Sequence, residues 1–242
     1  MYLFFVHVAF KRFSPVEVRE RLKQLIQQAN RVEPNLAHKL SALVKWIKDK
    51  KDGLLASKPY VLDLLGEMIL DTEIWLMLQS LSPEDKQQLD LSITEQYWLE
   101  VLFPKWINDR DPKFPSWKRE VMDGQFKRED ETILQELFRE IKKRDGSYLW
   151  KYLLDLSMAT DLLASGELEE PLCTQLTTLS EPYFTEKRQK WEETLTYWGI
   201  ERGIIISYNP MEKNLVTQLV TVILQYSDRP LTSCYTIIKD LR

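Results

Sequence analysis

Only seven glycines occur in 242 residues, about 3% against a usual share of about 7%. Tight β-hairpins turn on Asn-Gly or Asp-Gly pairs, because their central residues take positive φ. Such pairs are few here, so an all-β fold is disfavoured. Helix-start signals, by contrast, recur along the chain. Ser14-Pro15-Val16-Glu17 is a capping box with proline at the first helical position. The serine oxygen can accept an orphan N–H, Glu17 can reach back, and Pro15 has no N–H to leave unpaired. Val18, Leu22, Leu25, Ile26 and Ala29 then follow helical spacing.

The same punctuation sets out about ten helices. Pro34-Asn35 restarts the chain into a stripe of Leu36, Leu40, Leu43 and Ile47, with Gly53 where a left-handed cap belongs. Pro59 opens a strongly apolar helix from Tyr60 to Leu78, and Ser82-Pro83 and Ser92-Ile93-Thr94-Glu95 open two more. Further helices are expected over 129–144, 147–164, 171–179 and 181–198, then from Asn209-Pro210 to Tyr226, and finally over 231–241. The segment 104–128 holds Pro104, Pro112, Pro115 and Gly124, and reads as a long connection with at most one short helix near Trp117 to Met122.

Two stretches resist the helical pattern. Tyr2 to Phe10 is dense in aromatic and β-branched residues, and Gly203 to Tyr208 holds three consecutive isoleucines. Both read as short strands, and an isolated strand leaves its backbone groups unpaired, so the two are expected to pair with each other. A buried N-terminal helix is the alternative. The expected fold class is therefore mainly α: a multi-helix bundle or short α-solenoid with at most a two-stranded element, residues 2–10 and 203–208.

Local similarities suggest that two helical units of about 95 residues are copies of each other. Ile47 to Gly53 resembles Ile141 to Gly146, Tyr60 to Leu64 resembles Tyr152 to Leu156, and Thr94 to Trp98 resembles Thr194 to Trp198. Basic residues before glycine are also what any helix end prefers, so the bland reading stays open. The organisation read from this pattern is an N-terminal helical unit 1–103, the connection 104–128 and a C-terminal helical unit 129–242, together forming one compact domain.

Much chemistry is excluded. The two cysteines, Cys173 and Cys234, form no CxxC pair, and the two histidines, His7 and His38, are too few for multi-imidazole metal sites. No GxGxxG, GxxxxGK[ST] or GxSxG motif occurs. The net charge of −4 argues against nonspecific nucleic-acid binding. MYLFFVHVAF lacks a basic leader and is too short to span a bilayer, so a cytoplasmic protein with no membrane contact is expected. Glu67, Asp71, Glu73, Asp155 and Asp161 read as buried acids paired with lysine or arginine rather than as metal ligands. No cofactor or metal is expected.

The best surface candidate is the connection 104–128, where Trp106, Phe114, Trp117 and Phe126 alternate with an excess of cations. The partner-binding residues read from it are Lys105, Trp106, Arg110, Lys113, Phe114, Trp117, Lys118 and Arg119. Tryptophan and arginine are strong interface anchors, while cations interleaved with rings also suit single-stranded nucleic acid. The bland reading is that the rings tack a loop onto the core. Two other basic clusters, Lys45, Lys48, Lys50, Lys51 and Lys58, and Lys142, Lys143 and Arg144, fall at expected helix ends. The functional expectation is a non-catalytic helical interaction protein: an adaptor, an assembly factor or a subunit of a larger complex with a protein partner. The alternative is a ribonucleoprotein subunit binding RNA or single-stranded DNA.

Overall fold

The computed structural model describes residues 13–126, 131–168, 170–229 and 235–241. The strand expected over 2–10 lies outside the described residues, as do His7, Lys127, Arg128 and Cys234. The chain divides into two compact units, Met1–Leu91 with Phe103–Lys127, and Ser92–Leu102 with Arg128–Arg242. Most of the 104–128 stretch therefore belongs to the first unit.

The described part of the first unit is helical. Its elements are α1 (Pro15–Val32), α2 (Pro34–Ile47), α3 (Asp52–Ala56), α4 (Pro59–Ser80), α5 (Pro83–Gln87), α7 (Phe103–Asn108) and α8 (Phe114–Asp123). The capping box at α1 is formed: Glu17 N donates to Ser14 Oγ at 3.3 Å, and Ser14 N donates to Glu17 Oε2 at 2.8 Å. α1 buries Val18, Leu22, Leu25 and Ala29, and it packs against α2, α3 and α4. α4 is buried almost all round and carries Glu67 and Asp71 into the interior. Gly53 is not the cap of the second helix. α2 stops at Ile47, and Gly53 lies inside the short α3. The connection holds two helices rather than at most one. α8 ends at Gly124 with φ 73°, a left-handed conformation that an L side chain rarely adopts.

The second unit overturns the mainly helical expectation. It contains α6 (Ile93–Tyr97), a π-helical turn (Trp98–Leu102), α9 (Glu131–Lys143), α10 (Tyr152–Met158), α11 (Tyr183–Tyr197) and α12 (Leu215–Ser227). Pro104, just beyond the π-helical turn, withholds the N–H that an α-helix would direct at Glu100. The unit also contains a five-stranded mixed sheet, β1 (Ser147–Leu149), β2 (Leu162–Ser165), β3 (Leu172–Thr177), β4 (Gly203–Tyr208) and β5 (Tyr235–Leu241), in the order β1-β2-β3-β4-β5. β1–β2 and β2–β3 are antiparallel, whereas β3–β4 and β4–β5 are parallel.

The expectation failed for a physical reason. β2, β3 and β4 are buried at every position. A strand covered on both faces need not alternate: β2 and β4 are short, mostly apolar runs indistinguishable from buried helix, and β3 mixes Thr174, Gln175 and Thr177 with apolar residues in no strict period of two. The helices expected over 147–164, 171–179 and 231–241 are thus replaced by β1-α10-β2, β3 and, in its described part, β5. The glycine argument excluded hairpins, but parallel strands are joined by helices and need no hairpin glycine. The strand at Gly203–Tyr208 was read correctly, but its expected pairing was not. β3 and β5 occupy both of its edges, so β4 has none left for residues 2–10. The helix expected from Asn209 starts only at Leu215, after a turn in which Met211 N donates to Asn209 Oδ1 at 3.0 Å.

The two sheet faces are covered by different helices. Ile204, Ile206 and Tyr208 share one apolar cluster with Leu137 and Ile141 of α9 and Leu219 and Ile223 of α12. On the other face, a Cβ added at Gly203 would meet Trp191 Cζ2 of α11 at 2.8 Å and also Leu195 of the same helix. The halves are not copies. Tyr60–Leu64 lies in a 22-residue core helix, whereas Tyr152–Leu156 lies in a seven-residue helix between two strands.

Gly203→Ala is expected to lower stability by about 1–3 kcal/mol through overpacking against the rigid indole. Ala159, which ends α10 with φ 51°, is expected to behave in the opposite way. Ala159→Gly relieves left-handed strain and should raise stability by about 0.5–1 kcal/mol after the entropy of the freer unfolded chain is subtracted. Urea unfolding midpoints read both changes.

Candidate functional site

Asp111 organises the aromatic-basic segment. Pro112 follows it, and Lys113 N donates to Asp111 Oδ1 at 2.9 Å, closing a side-chain turn between α7 and α8. Its other oxygen, Oδ2, accepts from Trp106 Nε1 at 3.3 Å and from Trp117 Nε1 at 3.0 Å. Asp111 itself is 6% exposed, so these donors answer a carboxylate that has left water. A buried indole needs an acceptor for its single N–H, and here one oxygen serves two.

The consequence for the expected site is direct. Trp106 and Trp117 are each 1% exposed and cannot act as surface anchors or as stacking platforms. They tack α7 and α8 onto the first unit. The other expected residues divide by exposure. Arg110 and Arg119 are exposed, while Lys105, Lys113, Phe114 and Lys118 are half-buried.

What remains outside is a lysine-rich surface on a chain of rings. Trp46 of α2 meets Trp117 edge-on, with centroids 5.8 Å apart, and Phe114 meets Trp117 edge-on at 4.9 Å. Lys118 Nζ lies 4.1 Å from the Phe114 centroid, a cation–π distance. Lys39 Nζ lies 4.9 Å from the Trp106 centroid and donates to Asp109 O at 2.5 Å. Burial pulls the Lys39 ammonium below its ordinary pKa, against the opposing influence of Asp111 and Asp109. Lys118 is also pulled down, first by burial and then by the Lys45 ammonium. Lys39, Lys45 and Trp46 come from α2 and join the segment only through the fold.

In the other basic cluster, two of the three cations share one carboxylate. Lys143 Nζ and Arg144 Nη2 each pair with Glu140 at 3.2 Å, and Arg144 Nη1 donates to Thr221 Oγ1 at 2.8 Å.

The second unit offers a polar cluster near the carboxyl end of β3, within hydrogen-bond reach of β4. The buried Asp161 Oδ2 accepts from Leu176 N and Gln175 Nε2, each at 2.6 Å. Lys187 Nζ donates to Leu176 O at 3.2 Å, and Ser207 Oγ donates to Leu179 O at 3.0 Å. These groups answer one another and the strand ends. Asp161 takes amide donors in these bonds, where a lysine or arginine was expected. Among the described residues, no group of three or more His, Cys, Asp and Glu gathers to hold a metal, and no helix is long and apolar enough to cross a membrane. Comparison with models of protein families, with curated proteins and with solved structures finds no match.

Asp111→Ala should leave two buried indole donors without their acceptor, at about 1–3 kcal/mol each. The expected result is a large drop in thermal stability with a red-shifted tryptophan emission. An unchanged melting temperature would show that Asp111 is not the anchor.

Proposed function

We propose that this chain is a non-catalytic interaction protein, an adaptor or a subunit of a larger assembly, that docks an acidic segment of a protein partner on the α2–α8 face of its first unit. The observation that carries this reading is the pairing of unneutralised cations with half-buried rings. Lys45 and Lys118 make no ion pair or hydrogen bond among the described residues; Lys118 lies over Phe114 of the Trp46–Trp117–Phe114 chain, and Lys45, exposed, precedes Trp46 in α2. Lysine stems over aromatic surface provide apolar contact and charge together, which suits an acidic segment with an apolar residue.

Nucleic acid is the weaker reading, because base stacking needs open ring faces. The two largest rings of the segment are buried, and Lys118 already lies over Phe114.

The test uses the full chain, a labelled peptide rich in Asp and Glu with one Phe, and a single-stranded RNA of similar charge. The acidic peptide should bind saturably at low salt. Affinity should fall about tenfold or more in the K45E/K118E double variant and weaken as salt is raised. RNA binding in place of peptide binding would transfer the site to the nucleic-acid reading. No peptide binding at low salt would remove the docking surface.

A further inference from the structure

The α8 side of this face carries a sharper expectation, which rests on the docking reading above. Phe114 and Lys118 stand one helical turn apart on α8 and share a side of it. A long side chain on a helix leans back over the turn before it, and the Lys118 ammonium lies 4.1 Å from the Phe114 ring centroid. The ring is half-buried and meets Trp117 edge-on, with centroids 4.9 Å apart. Asp111 does not answer the ammonium, because its oxygens turn to Trp106, Trp117 and the Lys113 N–H. Among the described residues Lys118 makes no ion pair or hydrogen bond, so the ring is what holds it.

A cation over a ring at an exposed site is worth a factor of a few in an equilibrium constant, and so is an exposed ion pair. A carboxylate that draws the ammonium off the ring therefore exchanges one small attraction for another, and alone it gains little. An apolar side chain alone meets a ring face that is already covered. The two together do gain. The carboxylate takes the ammonium on its flexible stem, the apolar group fills the uncovered face, and the water it displaces no longer screens the new ion pair. We infer that Lys118 is a movable cover on Phe114, which opens for a partner segment carrying a carboxylate and an apolar side chain side by side. The segment this face fits is thus narrower than an acidic peptide: charge and apolar surface have to arrive at adjacent positions.

The experiment titrates the full chain with three acidic peptides of equal charge. One has leucine next to glutamate, one has leucine set apart from every acid by a glycine–serine spacer, and one has serine in place of leucine. Leucine is used because it adds no ring current of its own. The adjacent peptide should bind about tenfold tighter than the other two. In the free protein the Phe114 ring should hold the Lys118 ε-methylene protons upfield of their ordinary NMR position, and Phe114→Leu should abolish that displacement. Saturation with the adjacent peptide should abolish it as well. Lys118→Met keeps the stem without the charge. It should leave the melting temperature close to wild type and make the adjacent and spaced peptides bind equally. An upfield position that persists at saturation, equal affinity for adjacent and spaced peptides in the wild type, or a preference that survives Lys118→Met would overturn the cover. If none of the peptides binds, the docking reading falls and the cover with it. If they bind while the ammonium stays on the ring, only the cover falls.

Discussion

A carboxylate taken out of water has to be answered by donors, and in each unit one such group fixes local geometry. Asp111 collects two indole N–H groups and a backbone N–H, so a single side chain ties α7 to α8, while Trp46 and Lys39 of α2 hold the pair to the rest of the first unit. Asp161 does comparable work in the second unit. Its own N–H donates to Thr174 O at 2.8 Å, in line with the β2–β3 ladder. The chain arrives at this point from α10, and the Asp161 side chain supplies the acceptor that Leu176 N would otherwise lack. In both places a polar group in the interior decides where a segment begins or stops, while apolar burial supplies most of the driving force.

The first unit was largely legible because its signals are local. Ser14 and Glu17 are three residues apart, and the box they form depends on nothing distant. The same holds for Ser92 and Glu95, where Ser92 N donates to Glu95 Oε2 at 2.8 Å. The second unit was poorly legible because its signals are not local. Leu172 to Thr177 contains no turn and no alternation, and its identity as a strand comes from Gly203–Ser207 and Leu162–Ala164, which pair with it. Tyr235 to Ile238 differs from a good helix sequence in its β-branched content, a weaker preference than the punctuation that suggested a helix over 231–241.

The candidate site was half legible. Composition located the segment, since lysines and rings in a proline-bounded stretch are unusual in an acidic chain. Orientation was not visible, because whether Trp106 and Trp117 point inward depends on an acceptor between them. Asp111 stands five residues after one tryptophan and six before the other, a spacing that does not by itself mark an acceptor. Lys39, Lys45 and Trp46 belong to a helix some seventy residues away and could join the surface only once α2 and α8 were placed together.

One contact also bears on ancestry. Gly203 lies against Trp191 and Leu195 with no room for a methyl group. A lineage that acquires any larger residue at position 203 must shed volume at 191 or 195, or displace α11 from the sheet. The three positions are therefore expected to drift as a set, and a paired exchange at 191 and 203 in a divergent copy would mark common descent where overall identity has faded.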